Sequence, residues 1–304
     1  MKNYISSIKD FFLILHAILS IARDLVIDRI FLIYNKNHGL KSLLSLKKYK
    51  NSDTLFIFGT GSSLLDLSLE QLNEVRVHDS LGLNFFCLFD FVPTYYTLEL
   101  SNSKLKNSNI KKNFKALGAR SKDYQQTPII LRDLKMFDLL NGRYKDILPP
   151  KLINNFYCVG RMNISGRTKK VFAFSLKLIS LLKLNLLSCS LLSKRASIIC
   201  AISFAHKLGY KKVVLLGVDL NNTDYFYSVD PKYAKNKALL PSQLQSGDIH
   251  ATYDSKVSFA TIPYVLKELN RLILIKDGVK IFVGSKKSAL YPEVSFWNWS
   301  SFNK

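Results

Sequence analysis

The stretch that decides the fold is TLFIFGTGSSL, residues 54–64. A short run of apolar and β-branched residues leads directly into two glycines, which predicts a buried strand, a tight turn and then a helix. Glycines let the backbone of such a turn approach a ligand, and the first N–H groups of the helix attract a phosphate. The stretch therefore predicts a nucleotide-binding site, although Leu64 stands where a dinucleotide fingerprint has its third glycine.

The alternation of apolar strands and helical stretches continues along the chain. We expect further strands at 80–83, 94–98, 128–131, 155–159, 213–217 and 279–283, and helices at 64–72, 102–117, 171–192, 195–208 and 257–275. This order predicts an α/β protein with a Rossmann-like, doubly wound, mostly parallel sheet, whose ligand lies at the carboxyl ends of the strands. Residues 220–256 are too many for an ordinary connection, and we expect them to form a lid over the site.

Residues 1–50 form a separate N-terminal helical extension in this interpretation, and residues 51–304 form the nucleotide-binding domain. The apolar stretch 11–34 carries two Arg and two Asp, so its uncharged part is too short to span a bilayer. Two hypotheses remain open. The stretch is an amphipathic helix lying on an acidic membrane surface, or it is a helix packed on the catalytic core or on a second subunit.

The charge balance indicates an anionic partner. Forty-four Lys and Arg against 22 Asp and Glu give a net charge of +22, and 48% of the residues are hydrophobic. No nucleic-acid-binding module is recognisable, which favours a membrane surface or a phosphorylated substrate. The four cysteines form no CxxC pair, and no cleavage site follows the first apolar run, so we expect a cytoplasmic protein without a metal site, peripheral to the inner membrane.

Four blocks occur in an order that is similar to a known family. They are IFGTGSSL (57–64), GLNFF (82–86), RASIICAISFAHKLGYKKVVLLGVDL (195–220) and SALYP (288–292). Together they resemble the bacterial sialyltransferases of glycosyltransferase family 42 and related keto-sugar-acid transferases, over residues 54–292. The resemblance implies a modified GT-A nucleotide-binding fold, a CMP-activated sugar as donor, no metal and no other cofactor, and inversion at the anomeric carbon. The acceptor it implies is a glycan, or a lipid-linked glycan, of bacterial lipopolysaccharide or capsule.

The resemblance also implies a set of donor-binding residues. These are Gly59, Thr60, Gly61, Ser63, Asn84, Ser197, Gly217 and Asp219. An asparagine offers both a donor and an acceptor, which suits a cytosine edge or a ribose, and an aspartate can bind ribose hydroxyls. Simple turn capping by Asn84 and by Asp219 is the structural alternative.

Five residues are candidates for the chemistry: His250, Asp254, Tyr225, Tyr227 and Arg195. His250 is the candidate general base, because an imidazole titrates near neutrality, and Asp254 either orients it or is itself the base. The two tyrosines lie where family tyrosines donate hydrogen bonds to the departing phosphate. Arg195 pairs with the sugar carboxylate or the phosphate, or is a solvated residue at a helix start.

The chain departs from the family at several positions. Thr60 replaces an asparagine, Ile198 replaces a glycine, an asparagine is missing near 98–99, and the family's base histidine aligns nearer Asp254 than His250. These departures leave the donor sugar open: besides sialic acid, the alternatives are Kdo and another nonulosonate such as pseudaminic or legionaminic acid. Asp79 keeps a NAD- or S-adenosylmethionine-dependent enzyme as an alternative, and a non-catalytic membrane scaffold is another. A homo-oligomer is compatible with each of these hypotheses.

Overall fold

The computed structural model describes residues 2–37, 41–99, 108–132, 148–234 and 248–300. Ten strands are assigned within these ranges: β1 (Thr54–Phe58), β2 (Asp79–Leu83), β3 (Tyr95–Glu99), β4 (Ile129–Arg132), β5 (Phe156–Val159), β6 (Arg161–Asn163), β7 (Leu191–Ser193), β8 (Lys212–Leu216), β9 (Lys280–Val283) and β10 (Ser295–Phe296). The predicted strands are confirmed, each within about one residue of its expected bounds.

Eight strands form one sheet in the order β10-β9-β8-β1-β2-β3-β4-β5, and β6 pairs with β7 in a small second sheet. Every pairing recorded in the two sheets is parallel. The chain runs outward from β1 through β2 to β5 and then returns to β8 on the other side of β1. The order therefore reverses between β1 and β8, which is where doubly wound sheets bind their ligands. The predicted fold class is confirmed.

The helices are α1 (Lys2–Asn37), α2 (Leu69–Arg76), α3 (Ser108–Ala119), α4 (Lys169–Leu181), α5 (Leu184–Leu187), α6 (Ser197–Leu208), α7 (Phe226–Val229), α8 (Pro231–Ala234) and α9 (Ile262–Leu269). Turns of 3-10 helix cover Leu43–Tyr49, Ser62–Asp66, Asn84–Leu88, Pro150–Asn155 and Ile275–Asp277, and a π-helical turn covers Asn270–Leu274. Helix α6 ends at Gly209, whose φ of +83° gives the left-handed cap expected there.

Two hydrophobic cores cover the two faces of the large sheet. Strand β1 is buried along its whole length, with Leu55 and Ile57 in one core and Phe56 and Phe58 in the other. Successive side chains of a strand point to opposite faces, so a strand covered on both sides must be apolar throughout. This explains why β1 is a continuous apolar run rather than an alternating one.

Helix α1 packs on the body of the protein with one face only. Ala17, Ile21 and Phe31 are buried there, and so are the carboxylates of Asp24 and Asp28. Asp24 accepts a hydrogen bond from the backbone N–H of Asn163 at 2.9 Å. Asp28 accepts one from the Ser190 hydroxyl at 2.6 Å and one from the Cys189 backbone N–H at 3.0 Å. Two of the charged residues that interrupt the apolar stretch, Asp24 and Asp28, thus help to fix the helix to its neighbours.

Three predicted helices differ from the structure. The helix predicted at 257–275 begins only at Ile262, where Thr261 caps it, and continues after Leu269 as π-helical and 3-10 turns. The stretch 171–192 is not one helix, because Lys183 takes a left-handed conformation with φ of +50° and the chain continues into α5 and then β7. The helix predicted at 64–72 is a 3-10 turn followed by α2, which begins at Leu69 because Ser68 and Gln71 form a capping box. Within the described ranges, no helix combines the length and the hydropathy needed to cross a membrane.

Candidate functional site

Two glycine turns meet where the strand order reverses. The Gly59 N–H donates to the carbonyl of Leu216 at 2.7 Å, and the Gly61 N–H donates to the carbonyl of Gly217 at 2.8 Å. A Cβ at Gly59 would lie 2.3 Å from the Gly217 carbonyl oxygen, so only glycine permits this approach. The turn after β1 and the turn after β8 therefore form one continuous wall.

Asp219 ties these two turns together. Its Oδ2 accepts the backbone N–H of Ser63 at 3.0 Å, and its Oδ1 accepts the Ser63 hydroxyl at 2.5 Å. Asp219 is only 5% exposed, and burial raises the pKa of its carboxyl. Both carboxylate oxygens are engaged in holding the turn, so the ribose contact predicted for Asp219 would have to share them.

The first part of the predicted lid pairs with the glycine turn. The Ser62 N–H donates to the carbonyl of Asp224 at 3.0 Å, and the Phe226 N–H donates to the carbonyl of Thr60 at 3.1 Å. This pairing sets Tyr225 at the rim of the site, whereas the side chain of Tyr227 turns into the core with 4% exposure and stacks on the Tyr225 ring at 5.3 Å. Residues 235–247 of the predicted lid lie outside the described residues.

A cavity of about 500 Å³ opens beside these turns. Its lining includes most of the predicted site residues: Gly59, Thr60, Gly61, Asn84, Arg195, Ser197, Gly217, Asp219, Tyr225 and His250. Three predicted residues lie outside the lining. Ser63 is held by Asp219, Tyr227 is in the core, and Asp254 caps a turn by accepting the Lys256 N–H at 2.8 Å.

Arg132, the last residue of β4, lies at the floor of the cavity and was not predicted. It is 2% exposed, and its Nη2 donates to the Ser197 hydroxyl at 2.5 Å and to the Asn84 side-chain oxygen at 3.3 Å. Its Nη1 lies 3.6 Å from the carboxylate of Glu99, the last residue of β3. The signal that identifies it is positional, because Arg132 directly follows the strand predicted at 128–131 and parallel strands end at one edge.

Asn84 and Ser197 are joined to each other as well. The Asn84 amide nitrogen donates to the Ser197 hydroxyl oxygen at 3.3 Å, and the backbone of Asn84 has φ of +51°. The Ser197 oxygen therefore accepts hydrogen bonds from two side chains. Its own O–H stays available to donate to a third group. Arg132, Asn84 and Ser197 form a connected polar group facing the cavity.

His250 enters the cavity from a turn that Arg195 holds. The Arg195 guanidinium donates to the carbonyl of Ala251 at 2.7 Å, and the His250 Nδ1 lies 2.7 Å from the Thr252 hydroxyl. Burial lowers the pKa of His250, and the charge of Arg195 lowers it further. The backbone N–H of Thr252 also points at Nδ1, at 3.3 Å. The other ring nitrogen accepts a proton only in the tautomer whose Nδ1–H donates to the Thr252 hydroxyl.

Asp79 lies away from the cavity. It begins β2, is 2% exposed, and accepts the Tyr210 hydroxyl at 2.8 Å and the backbone N–H groups of Asn51 and Ser52 at 2.8 and 3.1 Å. A ribose-binding acid would stand at the opposite, carboxyl edge of the sheet. The placement of Asp79 disfavours the NAD hypothesis. Within the described ranges, no cluster of His, Cys, Asp and Glu is suited to hold a metal ion.

Comparison with known proteins gives structural neighbours only. The chain matches no protein-family model, and it matches none of the curated proteins. Among solved structures it is similar to the monofunctional alpha-2,3-sialyltransferase Cst-I from Campylobacter jejuni, with 17% identity, a TM-score of 0.47 and coverage of 81% of each chain. It is also similar to the Campylobacter jejuni sialyltransferase CstII in complex with a substrate analogue, CMP-3FNeuAc, with 14% identity, a TM-score of 0.45 and coverage of 81% of this chain and 86% of that one.

Proposed function

We propose that the chain is an inverting, metal-independent glycosyltransferase that moves sialic acid or a related keto-sugar acid from its CMP donor to a hydroxyl of a bacterial surface glycan. The observation that carries the proposal is the shared cavity between the turns after β1 and β8, into which Arg132, Arg195 and His250 also reach. A nucleoside monophosphate is bound by backbone N–H groups that come close to its phosphate and by cationic side chains, and this cavity offers both.

The two glycine turns are the proposed binding wall for the CMP. Backbone N–H groups and the small side chains of Thr60 and Ser197 suit the nucleotide and its single phosphate. Asn84 has the paired donor and acceptor that a cytosine edge or a sugar hydroxyl requires. Arg132 faces the same region and is the proposed partner of a carboxylate on the donor sugar, because a guanidinium binds carboxylates through parallel hydrogen bonds.

The proposed reaction is a single displacement. The acceptor hydroxyl loses its proton to the His250 ring nitrogen opposite Thr252, and its oxygen forms a bond to the anomeric carbon as the bond from that carbon to the phosphate oxygen breaks. The bonding electrons leave with the CMP phosphate. The Tyr225 hydroxyl donates a hydrogen bond to the developing charge, and burial, which raises the pKa of Tyr225, keeps it a neutral donor.

Arg195 has a positioning role in this proposal. Its guanidinium bonds to the carbonyl of Ala251, so it holds the His250 turn against the start of α6, where Ser197 lies. Its charge also favours the neutral form of His250, which is the form that accepts a proton. The same residue thus fixes the base and tunes its protonation.

The test is a panel of donors with the full-length protein. Purified chain is incubated with CMP-sialic acid, CMP-Kdo or CMP-pseudaminic acid, and release of free CMP is followed with and without glycan acceptors. We expect one donor to be hydrolysed slowly alone and consumed faster with an acceptor, and the His250→Ala variant to bind CMP but release none. Stabilisation by NAD or S-adenosylmethionine, without any by CMP, in a thermal-shift assay would contradict the proposal.

A further inference from the structure

Helix α1 carries a second apolar face, directed away from the body of the protein. Its members are large side chains between 39% and 62% exposed: Phe11, Phe12, Leu15, Ile18, Leu19, Val26, Ile27, Ile30 and Ile33. We call these residues the outer face. They extend over about 33 Å of helix at 1.5 Å per residue, which is larger than the scattered apolar contacts of ordinary surfaces. Such a face needs an explanation beyond chance exposure.

The charges of α1 are sorted between its two sides. All three acidic side chains of the helix are taken up by the body, since Asp24 and Asp28 are buried and Asp10 pairs with Lys170 at 2.7 Å. The basic residues Arg23 and Arg29 are exposed beside the outer face, and the Arg23 guanidinium pairs with the Asp24 carboxylate at 2.7 Å. The side of α1 that meets solvent is therefore apolar and basic together, with its acids withdrawn.

We propose that the outer face docks on a bilayer surface that contains anionic lipids. An apolar strip flanked by Arg and Lys is the pattern of helices that lie in the interface, where the apolar side chains enter the acyl boundary and the basic ones meet the headgroups. The opposite face stays fixed by its buried aspartates, so the helix lies along the membrane without leaving the protein. The net charge of +22 adds a long-range attraction to the same surface.

The docking surface and the cavity share a structural element. Asp24 accepts the backbone N–H of Asn163 at the end of β6, and Arg161 at the start of β6 lines the cavity. The outer face is therefore connected to the cavity wall through α1 and β6. The docking itself does not depend on the transfer reaction.

The experiment is sedimentation of the full-length chain with vesicles. One set contains phosphatidylcholine alone, and the other also contains about 30% phosphatidylglycerol. We expect binding to the anionic set, weaker binding to the neutral set, and partial release when salt rises from about 0.1 M to about 0.5 M. The triple variant Phe12→Glu, Leu19→Glu, Ile30→Glu is expected to lower the affinity by about tenfold or more, because charge in the outer face opposes insertion.

A control variant introduces the same number of glutamates outside the outer face. Leu69→Glu, Val77→Glu and Ile275→Glu replace three other exposed apolar residues and are expected to leave binding unchanged. Light scattering of the same proteins without vesicles reports the oligomeric state. Failure of the wild-type chain to sediment with anionic vesicles overturns the proposal. It is also overturned if the outer-face variant dissociates an oligomer while its vesicle binding equals that of the wild type. Neither readout requires donor turnover, so the result is independent of the proposed reaction.

Discussion

Arg132 brings a positive charge to the floor of the cavity. It donates to Ser197 and to Asn84, while Glu99 stands farther off at 3.6 Å. Because Arg132 lines the cavity, its guanidinium lies where an anionic group of the donor is proposed to bind.

Arg132→Met is expected to lower donor kcat/KM by roughly 10- to 100-fold, since a hydrogen bond to a charged group contributes about 1.5–3 kcal/mol. The double variant Arg132→Met, Glu99→Met also removes the carboxylate that the single change leaves without its partner. We expect it to recover the unfolding midpoint but not turnover. Recovery of both would mean that Arg132 serves only to pair with Glu99. The measurements are steady-state kinetics and thermal unfolding.

The two tyrosines of the rim offer a matched pair. Tyr225 lines the cavity, whereas Tyr227 is buried behind it, although their rings stack and burial raises the pKa of each hydroxyl. Tyr225→Phe is expected to lower kcat by about 10²-fold, the effect of removing one donor to a developing anion. Tyr227→Phe is expected to keep near-normal kcat. The reverse ranking in the same assay would assign the phosphate contact to Tyr227.

The pKa of His250 is expected to set the pH at which activity is lost on the acid side, or acid limb, of the pH profile. A base must be neutral, so activity is present above its pKa and is lost as the pH falls through it. Burial and Arg195 both lower that pKa, so the limb is expected below the usual value of 6.5. Arg195→Gln removes one of the two causes and is expected to move the limb to higher pH. A limb in kcat/KM that keeps its position in this variant would show that another group titrates.

At the scale of elements, the glycine turn after β1 depends on the absence of a Cβ at Gly61. A Cβ at Gly61 would lie 2.4 Å from the Asp219 Oδ2 and 2.9 Å from the Gly217 carbonyl oxygen. Gly61→Ala is therefore expected to push the two turns apart and to weaken CMP binding by at least about tenfold. Gly118→Ala in α3 is the control, since its nearest neighbour would be at 3.6 Å. Titration calorimetry with CMP measures both, and equal affinities would contradict the expected role of the turn.

The elements that the sequence predicted well are those whose signals are local. A continuous apolar run followed by glycine identifies β1 and β8, because burial on both faces leaves no room for alternation. The stretch 171–192 was misread because an apolar run is compatible with helix and with buried strand, and the break at Lys183 has no glycine or proline to mark it. The beginning of α9 at Ile262 is set by Thr261 and Pro263, a capping signal that was available in the sequence.

At the scale of the whole molecule, the cavity is assembled from strand ends that are far apart in the sequence. Asn84, Glu99 and Arg132 end or follow β2, β3 and β4, and they meet only because the sheet is parallel and its strands end at one edge. The glycine turns have a motif, but Arg132 has none. Its position becomes informative only when the order of the strands is known, which is why the sequence alone did not identify it.

The body of the protein and α1 share buried charges, which predicts that they unfold together. Asp28 accepts two hydrogen bonds from the segment before β7, and its carboxylate lies near the buried ammonium of Lys207, whose pKa is lowered to about 8 by burial. Asp28→Ala leaves the buried Ser190 hydroxyl and the half-buried Cys189 N–H without their acceptor. Leaving a buried donor unsatisfied costs about 1–3 kcal/mol. We expect the midpoint of thermal unfolding to fall by several degrees. One transition is expected both by circular dichroism at helical wavelengths and by the fluorescence of the two tryptophans, whose rings pack on Phe56 of β1.

Arg29→Ala changes the neighbouring exposed residue and is expected to leave the midpoint nearly unchanged. Two separate transitions, with tryptophan fluorescence unaffected by Asp28→Ala, would instead mean that α1 is an independent attachment to a domain that is stable without it.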